Sequence, residues 1–384
     1  MNLIRAGRAE DYQEVLQALL QAFGADNPGI QAFDELYPDI LRPDAECLSG
    51  FRFVEYDGAL VAGIQIVPQT LVVGGEVTLK TGGIGQVFCL PAYRGAGFMS
   101  SLLKEVISEM ESRGYHLSFL NGDRRRYRNY GWELAGFSRR LSLATRPFEG
   151  SPSSTAADSS SSQPPIRWTG DNETARRIGR AQALQPYRES RGPVLFPAVL
   201  RRAGVQVWVH QDDQGFAYGA LNNGILVEYG GHQHTFEALL IGHLVKGGLR
   251  VELPPSDGSG PLEAVLERYA EYYDASPTGQ VRVFSLLTLL QAYAPIISRR
   301  SVGGRWDVVF HLLESGERVR LQGQTSTLAG STTGLPELAL PRAAWARVLF
   351  GPFAPEGLSP EWANHELLRR VFPLPMFWPR LSHV

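Results

Sequence analysis

Between Val87 and Met99 the chain reads Val-Phe-Cys-Leu-Pro-Ala-Tyr-Arg-Gly-Ala-Gly-Phe-Met. An apolar, β-prone run stops at Pro91, which cannot continue a sheet ladder. Gly95 and Gly97 then turn the chain into a segment whose Met99, Leu102, Leu103, Val106, Ile107 and Met110 form one helical stripe, stopped by Gly114. A strand, a glycine loop and an amphipathic helix in direct succession require a sheet with a helix packed on it. The loop is also a candidate anion cradle. Glycines let backbone N–H groups approach a ligand, the helix start carries a partial positive charge, and Arg94 adds a full one. The Lys-Ser/Thr of a P-loop and the G-x-G-x-x-G of a dinucleotide fold are both missing, which disfavours nucleotide hydrolysis and dinucleotide binding. On the glycines alone, a turn that binds nothing explains the string equally well. Proline, arginine and helix at these offsets favour a ligand.

The 384 residues exceed one ordinary domain. Residues 149–165 (EGSPSSTAADSSSSQPP) hold too little apolar surface to offset ordering and are expected to be a disordered Ser/Pro-rich linker. Before it, within 1–148, periodicity predicts a helix begun by the pair Asp11 and Glu14. Strands Phe51–Tyr56, Ala59–Pro68, Leu71–Val73 and Val77–Leu79 follow, then the strand–loop–helix unit, the strand Tyr115–Leu120, a short basic helix and the strand Leu134–Leu143. That order gives an α+β sheet with helices on it. Residues 166–282 repeat it weakly, with a helix expected over Leu262–Tyr273. Residues 283–384 show a helix, a hairpin (Trp306–Leu313, Arg318–Leu321) and helices Arg342–Leu349 and Pro360–Val371.

A net charge of -2 gives no reason to expect nucleic acid or an anionic membrane as partner. No apolar run approaches the ~20 residues of a membrane span, and the N-terminus does not read as a signal peptide. Cys47 and Cys89 are the only cysteines, so a reducing, cytoplasmic setting is expected. His232 and His234 lack further ligands and predict no metal site.

The Val87–Met99 string resembles the acetyl-CoA motif of the GNAT superfamily, V-x-x-x-P-x-x-R-G-x-G. Val61-Ala62-Gly63, Gly82-Gly83-Ile84 and Arg94-Gly95-Ala96-Gly97-Phe98-Met99 are closer to its Eis-like (enhanced intracellular survival) branch, where Met99 replaces the usual final small residue. Arg126-Tyr127-Arg128-Asn129-Tyr130-Gly131-Trp132 resembles the family's tyrosine-bearing signature. The likeness implies a mixed α/β, α+β chain: a GNAT fold domain at 1–148, a degenerate GNAT-like domain at 166–282 and a sterol-carrier-like domain at 283–384. It implies acetyl-CoA as cosubstrate, bound by Val87, Phe88, Cys89, Arg94, Gly95, Ala96, Gly97, Phe98, Met99, Gly122 and Asp123. It implies Tyr127 as general acid, and a homo-oligomer that in the family reaches a hexamer.

For the base, the resemblance implies the C-terminal carboxylate, here Val384. An α-carboxyl ordinarily titrates near ~3.5, so His383 and a relaying water stay open as alternatives. The apolar run Phe372–Pro379 is expected to dock rather than fray. Cys89 reads as a structural thiol, and Arg124–Arg126 as a solvated helix face sooner than a phosphate contact. Acidic residues crowd positions 26–46, and Asp26 and Glu35 are candidates for an acidic rim that attracts a cationic small-molecule amine such as an aminoglycoside, a polyamine or a lysine side chain. An ordinary charged surface accounts for them equally well. The competing expectations are a non-catalytic coenzyme A-binding sensor on the same scaffold and a lipid-binding module.

Overall fold

The structure is a computed structural model that describes residues 3–24, 32–144, 164–193, 195–244, 248–255, 260–323, 325–330, 334–355 and 357–384. The expected linker lies almost wholly outside these residues, as does Asp26.

The first sheet is built from β1 (Leu3–Ala6), β2 (Phe51–Tyr56), β3 (Ala59–Val73), β4 (Val77–Cys89), β5 (Leu117–Leu120) and β6 (Glu133–Ala135). The chain then passes to a second sheet with β7 (Ser138–Leu143), β8 (Ile166–Arg167), β10 (Val205–Gln211), β11 (Phe216–Asn222), β12 (Ile225–Gly231), β13 (Leu249–Leu253) and β14 (Ala270–Ser276). Two strands from the middle of the chain return to the first sheet: β9 (Arg188–Glu189) and β15 (Gly279–Val283). A third sheet holds β16 (Asp307–Leu312), β17 (Glu317–Gln322), β18 (Thr325–Leu328) and β19 (Glu337–Leu340).

The first sheet runs β1-β2-β3-β4-β5-β15-β6, with β9 added on β3. Its faces are set by the period-two alternation of a strand. Phe51 and Phe53 join α1 (Tyr12–Phe23) in one core, while Val54, Val61, Ile64 and Ile84 join α4 (Phe98–Ser112) in another. Asp11 and Glu14 do not form the expected cap. Asp11 accepts from Arg5 at 2.7 and 2.8 Å, and Glu14 accepts from the Leu60 amide at 2.7 Å.

β3 is one strand of 15 residues, where the proline suggested two. The register explains this. β2 pairs with β3 only as far as Gln65, and β9 begins its pairing at Leu71, so Pro68 sits where a missing N–H leaves no partner stranded. The expected helix over Leu262–Tyr273 stops at Arg268, and Ala270–Ser276 becomes the edge strand β14.

Sheet membership crosses the expected boundaries at 148 and 282. β7 lies between β13 and β14, and β15 lies between β5 and β6. Each unit therefore completes its sheet with a strand that lies next to the other unit in sequence. Alternation in Ser138–Leu143 specifies an inward face but not which sheet receives it.

The apolar C-terminal run docks across this junction. Trp378 is fully buried and stacks on Phe119 with centroids 5.0 Å apart. Its amide donates to Thr278 Oγ1 at 2.9 Å and its indole N–H to Gln69 Oε1 at 3.1 Å. Among the described residues no helix is long and apolar enough to cross a membrane.

The strand exchange predicts that the two units stay together without the chain between them. After cleavage at a protease site put in place of Ser159–Ser162, both fragments are expected to co-elute on gel filtration and to part only in denaturant. Separation in native buffer would show that the exchange does not hold them.

Candidate active site

β4 departs from its ladder at one place. Gly63 faces Phe88 and Gln65 faces Gly85, so Gln86 and Val87 together oppose Ile64. This is a bulge, and Gln86 adopts the left-handed φ of 50°. On the other side, parallel pairing with β5 ends at Gly83 opposite Phe119. Beyond that pair the strands part around a cavity of ≈ 390 Å³. Ile84 to Val87 form one wall and Asn121, Gly122 and Asp123 the other.

A second cavity, of ≈ 630 Å³, lies over the loop between Cys89 and α4 and shares Phe23, Val87 and Arg126 with the first. Gly95 and Gly97 have φ of 87° and 82°, and a Cβ on either would meet nothing, so glycine is required there for backbone conformation, not for space. Gly97 offers no capping side chain to α4, whose first turn holds no acidic residue. Unlike the helices capped by Asp44, Asp123 and Asp171, α4 leaves its first amides without a side-chain partner and open to an anion.

Of the residues expected to bind cofactor, Val87, Phe88, Cys89, Arg94, Gly95, Gly97, Phe98 and Met99 line this second cavity. Ala96 is exposed and lines neither. Phe98 anchors the helix start in the core, and burial raises the Cys89 thiol above its usual range, keeping it protonated. Gly122 and Asp123 line the first cavity.

Tyr127 belongs to the short helix α5 (Arg124–Arg128) and lines the first cavity. Its ring packs edge-on to Trp132, and its hydroxyl has no hydrogen-bond partner among the described residues. Burial pushes the phenol above its ordinary value against the opposing pull of Arg126, so it carries its proton at neutral pH. A Cβ on Gly122 would stand 2.6 Å from the Tyr127 ring, so glycine makes room for it. The helix is held by Glu133, 1% exposed, which accepts from Arg124 at 2.5 and 2.6 Å and pairs with Arg128 at 3.2 Å and Arg347 at 3.4 Å. Of the basic run, only Arg126 reaches both cavities; Arg124 is structural.

Val384 lines the same cavity as Tyr127. It lies against β4 so closely that a Cβ on Gly83 would be 2.6 Å, and on Gly85 3.1 Å, from its side chain. The glycine-rich run Gly82-Gly83-Ile84-Gly85 is the sequence signal for this contact. His383 is engaged elsewhere. Asn121 Nδ2 lies 3.0 Å from its Nδ1 and donates to it, its Nε2 donates to the Trp378 carbonyl at 3.2 Å, and its ring stacks on Trp378 at 4.0 Å. Burial lowers its pKa to about 3. With both nitrogens occupied and the ring neutral, His383 is a poor base.

Among the described residues, the acidic stretch places no carboxylate on either cavity. Asp39 is buried in a bidentate pair with Arg202 at 2.6 Å, Asp44 caps a helix, and Asp34 accepts from Tyr12 at 2.9 Å. Glu35 is exposed and lines neither cavity. What the stretch contributes is aromatic: Phe33 and Tyr37, which line the first cavity with Phe23. Those rings and Asn121 had no signal in local pattern, because long-range packing brings them in. Among the described residues no cluster of three or more His, Cys, Asp or Glu is placed to hold a metal.

The depressed His383 pKa has a sign. Between pH ~6.5 and ~3 the unfolded chain binds a proton that the folded chain does not, so this residue makes stability fall as pH falls. His383→Gln is expected to flatten part of the acid-side slope in thermal melts between those values. An unchanged slope would show that the imidazole titrates normally.

Comparison with known proteins agrees with this geometry. Residues 3–135 match the model of the acetyltransferase (GNAT) domain. Eis1 from Mycobacterium abscessus superposes with a TM-score of 0.64 at 14% identity, covering 97% of this chain and 96% of that one. A probable N-acyltransferase from Enterococcus faecalis V583 gives 0.63 at 18% identity over 91% and 90% of the two chains. A GCN5-related N-acetyltransferase from Kribbella flavida gives 0.62 at 17% over 100% and 98%. No curated protein sequence matches the chain. Residues 3–135 thus match an acetyltransferase (GNAT) domain, and along nearly its whole length the chain shares the fold of Eis1.

Proposed function

We propose that the protein transfers acetyl from acetyl-CoA to a primary amine, with the diphosphate on the free amides of α4 and the thioester in the gap between β4 and β5. One observation carries this reading: Tyr127, Val384 and the bulged backbone at Val87 converge on one cavity that opens into the loop cavity.

In this reading Arg94, Gly95 and Gly97 receive the diphosphate, and Arg126 stands where the two cavities join. The backbone amide of Val87, at the bulge in the β3 ladder, holds the thioester oxygen as charge develops on it. The amine passes a proton to the Val384 carboxylate, directly or through water, and its nitrogen bonds to the acetyl carbon. Collapse breaks the carbon–sulfur bond, and Tyr127 protonates the departing thiolate. The acceptor we infer is cationic. Val384, Asp123 and the rings of Phe23, Phe33 and Tyr37 suit an ammonium-bearing molecule such as an aminoglycoside, polyamine or lysine side chain. The same family reading implies a homo-oligomer, which sedimentation reads directly.

Thiol release from acetyl-CoA with a panel of cationic and neutral amines tests the proposal. Release with the cationic members supports it. Coenzyme A binding without release for any amine would instead favour a sensor. Tyr127→Phe is expected to lower kcat about 100-fold with coenzyme A affinity unchanged. Adding one glycine after Val384 moves the carboxylate by roughly 3.8 Å and is expected to cost a comparable factor in kcat while leaving coenzyme A binding intact. Full activity in the extended protein would remove the carboxylate from the mechanism.

A further inference from the structure

The second unit contains a cavity for which the acetyl-transfer reading has no use. It is lined by α6 (Asn172–Gln182), by Arg188, Ser190, Arg191 and Pro193, and by Phe196 and Pro197, and its volume of ≈ 680 Å³ is ordinary for a small-molecule site. Arg176 and Arg180 line it from α6, Arg188 and Arg191 from the opposite side, and among the described residues no Asp or Glu lines it.

The charges here are not balanced as they are elsewhere in the same unit. Arg191 pairs with Glu228 at 2.6 Å and Glu189 at 3.1 Å. Arg177, also on α6, lies over the Phe216 ring at 4.4 Å and donates to Gln211. Arg176, Arg180 and Arg188 have no carboxylate partner among the described residues. Arg176 and Arg180 are four residues apart, so they share a helix face and repel. Arg188 is half-buried, donates to the Gln185 carbonyl at 2.7 Å, and burial lowers its pKa. Three cations held together without counter-charge suit an anion that supplies it. Forked guanidinium groups match phosphate oxygens in pairs. Ala175, Phe196 and Pro197 give the cavity an apolar wall beside them.

We propose that this cavity binds a small molecule carrying a diphosphate or an equivalent pair of phosphates, with Arg176, Arg180 and Arg188 as its phosphate ligands. The site is separate from the Arg94 loop and does not depend on the acetyl-transfer reading.

Calorimetric titration with inorganic pyrophosphate tests it. The starting protein is Arg94→Ala, so that binding at the α4 loop does not obscure the result. Pyrophosphate is expected to bind this variant and to bind at least tenfold more weakly once Arg176→Gln and Arg180→Gln are added. Melting temperatures are compared to show that the fold is kept. A charge-matched control, Arg94→Ala with Arg140→Gln and Arg250→Gln, both exposed on the second sheet, is expected to bind as the starting protein does. No binding to the Arg94→Ala protein, or equal loss in the control, would overturn the proposal.

Discussion

The docking of Trp378 is the contact on which the arrangement of this molecule depends. Its indole is stacked on Phe119 of the first sheet, its amide is tied to Thr278 just before β15, and its N–H is taken by Gln69 of β3. Gln69 then donates from its own amide to the Ser382 carbonyl at 2.5 Å. Arg202, from the second unit, donates to the His383 carbonyl at 2.6 Å while its other nitrogens hold Asp39. Val384 thus owes its position to groups from both units. A buried ion pair such as Asp39–Arg202 adds little net stability, but it defines one geometry, because either partner alone would be an uncompensated charge.

Strand exchange gives this arrangement its rigidity. With β7 in the second sheet and β15 in the first, neither sheet is complete without the other unit. Glu133, at the start of β6, is gripped by Arg124 and Arg128 of α5 and by Arg347 of the C-terminal unit. The helix bearing Tyr127 is therefore fixed from two sides, as the proton-donor role proposed for this residue requires.

Much of this was legible in the chain. Apolar alternation, the stripe of α4 and the Pro-to-glycine turn at 91–97 reflect local physics, so the strand, loop and helix stand where the pattern put them. The destination of β7 was not legible, since Ser138–Leu143 would satisfy either sheet. Within the acidic stretch, Asp39 and Asp34 meet partners 163 and 22 residues away, and no window of sequence shows that their charge is already used. Arg126 and Arg124 look alike in sequence, and only the position of Glu133 separates the structural residue from the one facing the cavities. His383 looked suited to proton transfer until Asn121 and Trp378 were seen to occupy both its nitrogens.

The bulge at Gln86 and Val87 has a consequence for how the chain avoids unwanted association. An open strand edge normally lies at the rim of a sheet, where any other extended chain can pair with it. Here β4 and β5 stop pairing after Gly83 and Phe119 while both stay flanked by neighbours, so the unpaired backbone lies inside the sheet. Phe23, Phe33 and Tyr37 line its mouth. A folded partner's strand cannot enter so narrow a slot, so the open ladder is shielded from the edge-to-edge pairing that leads to aggregation.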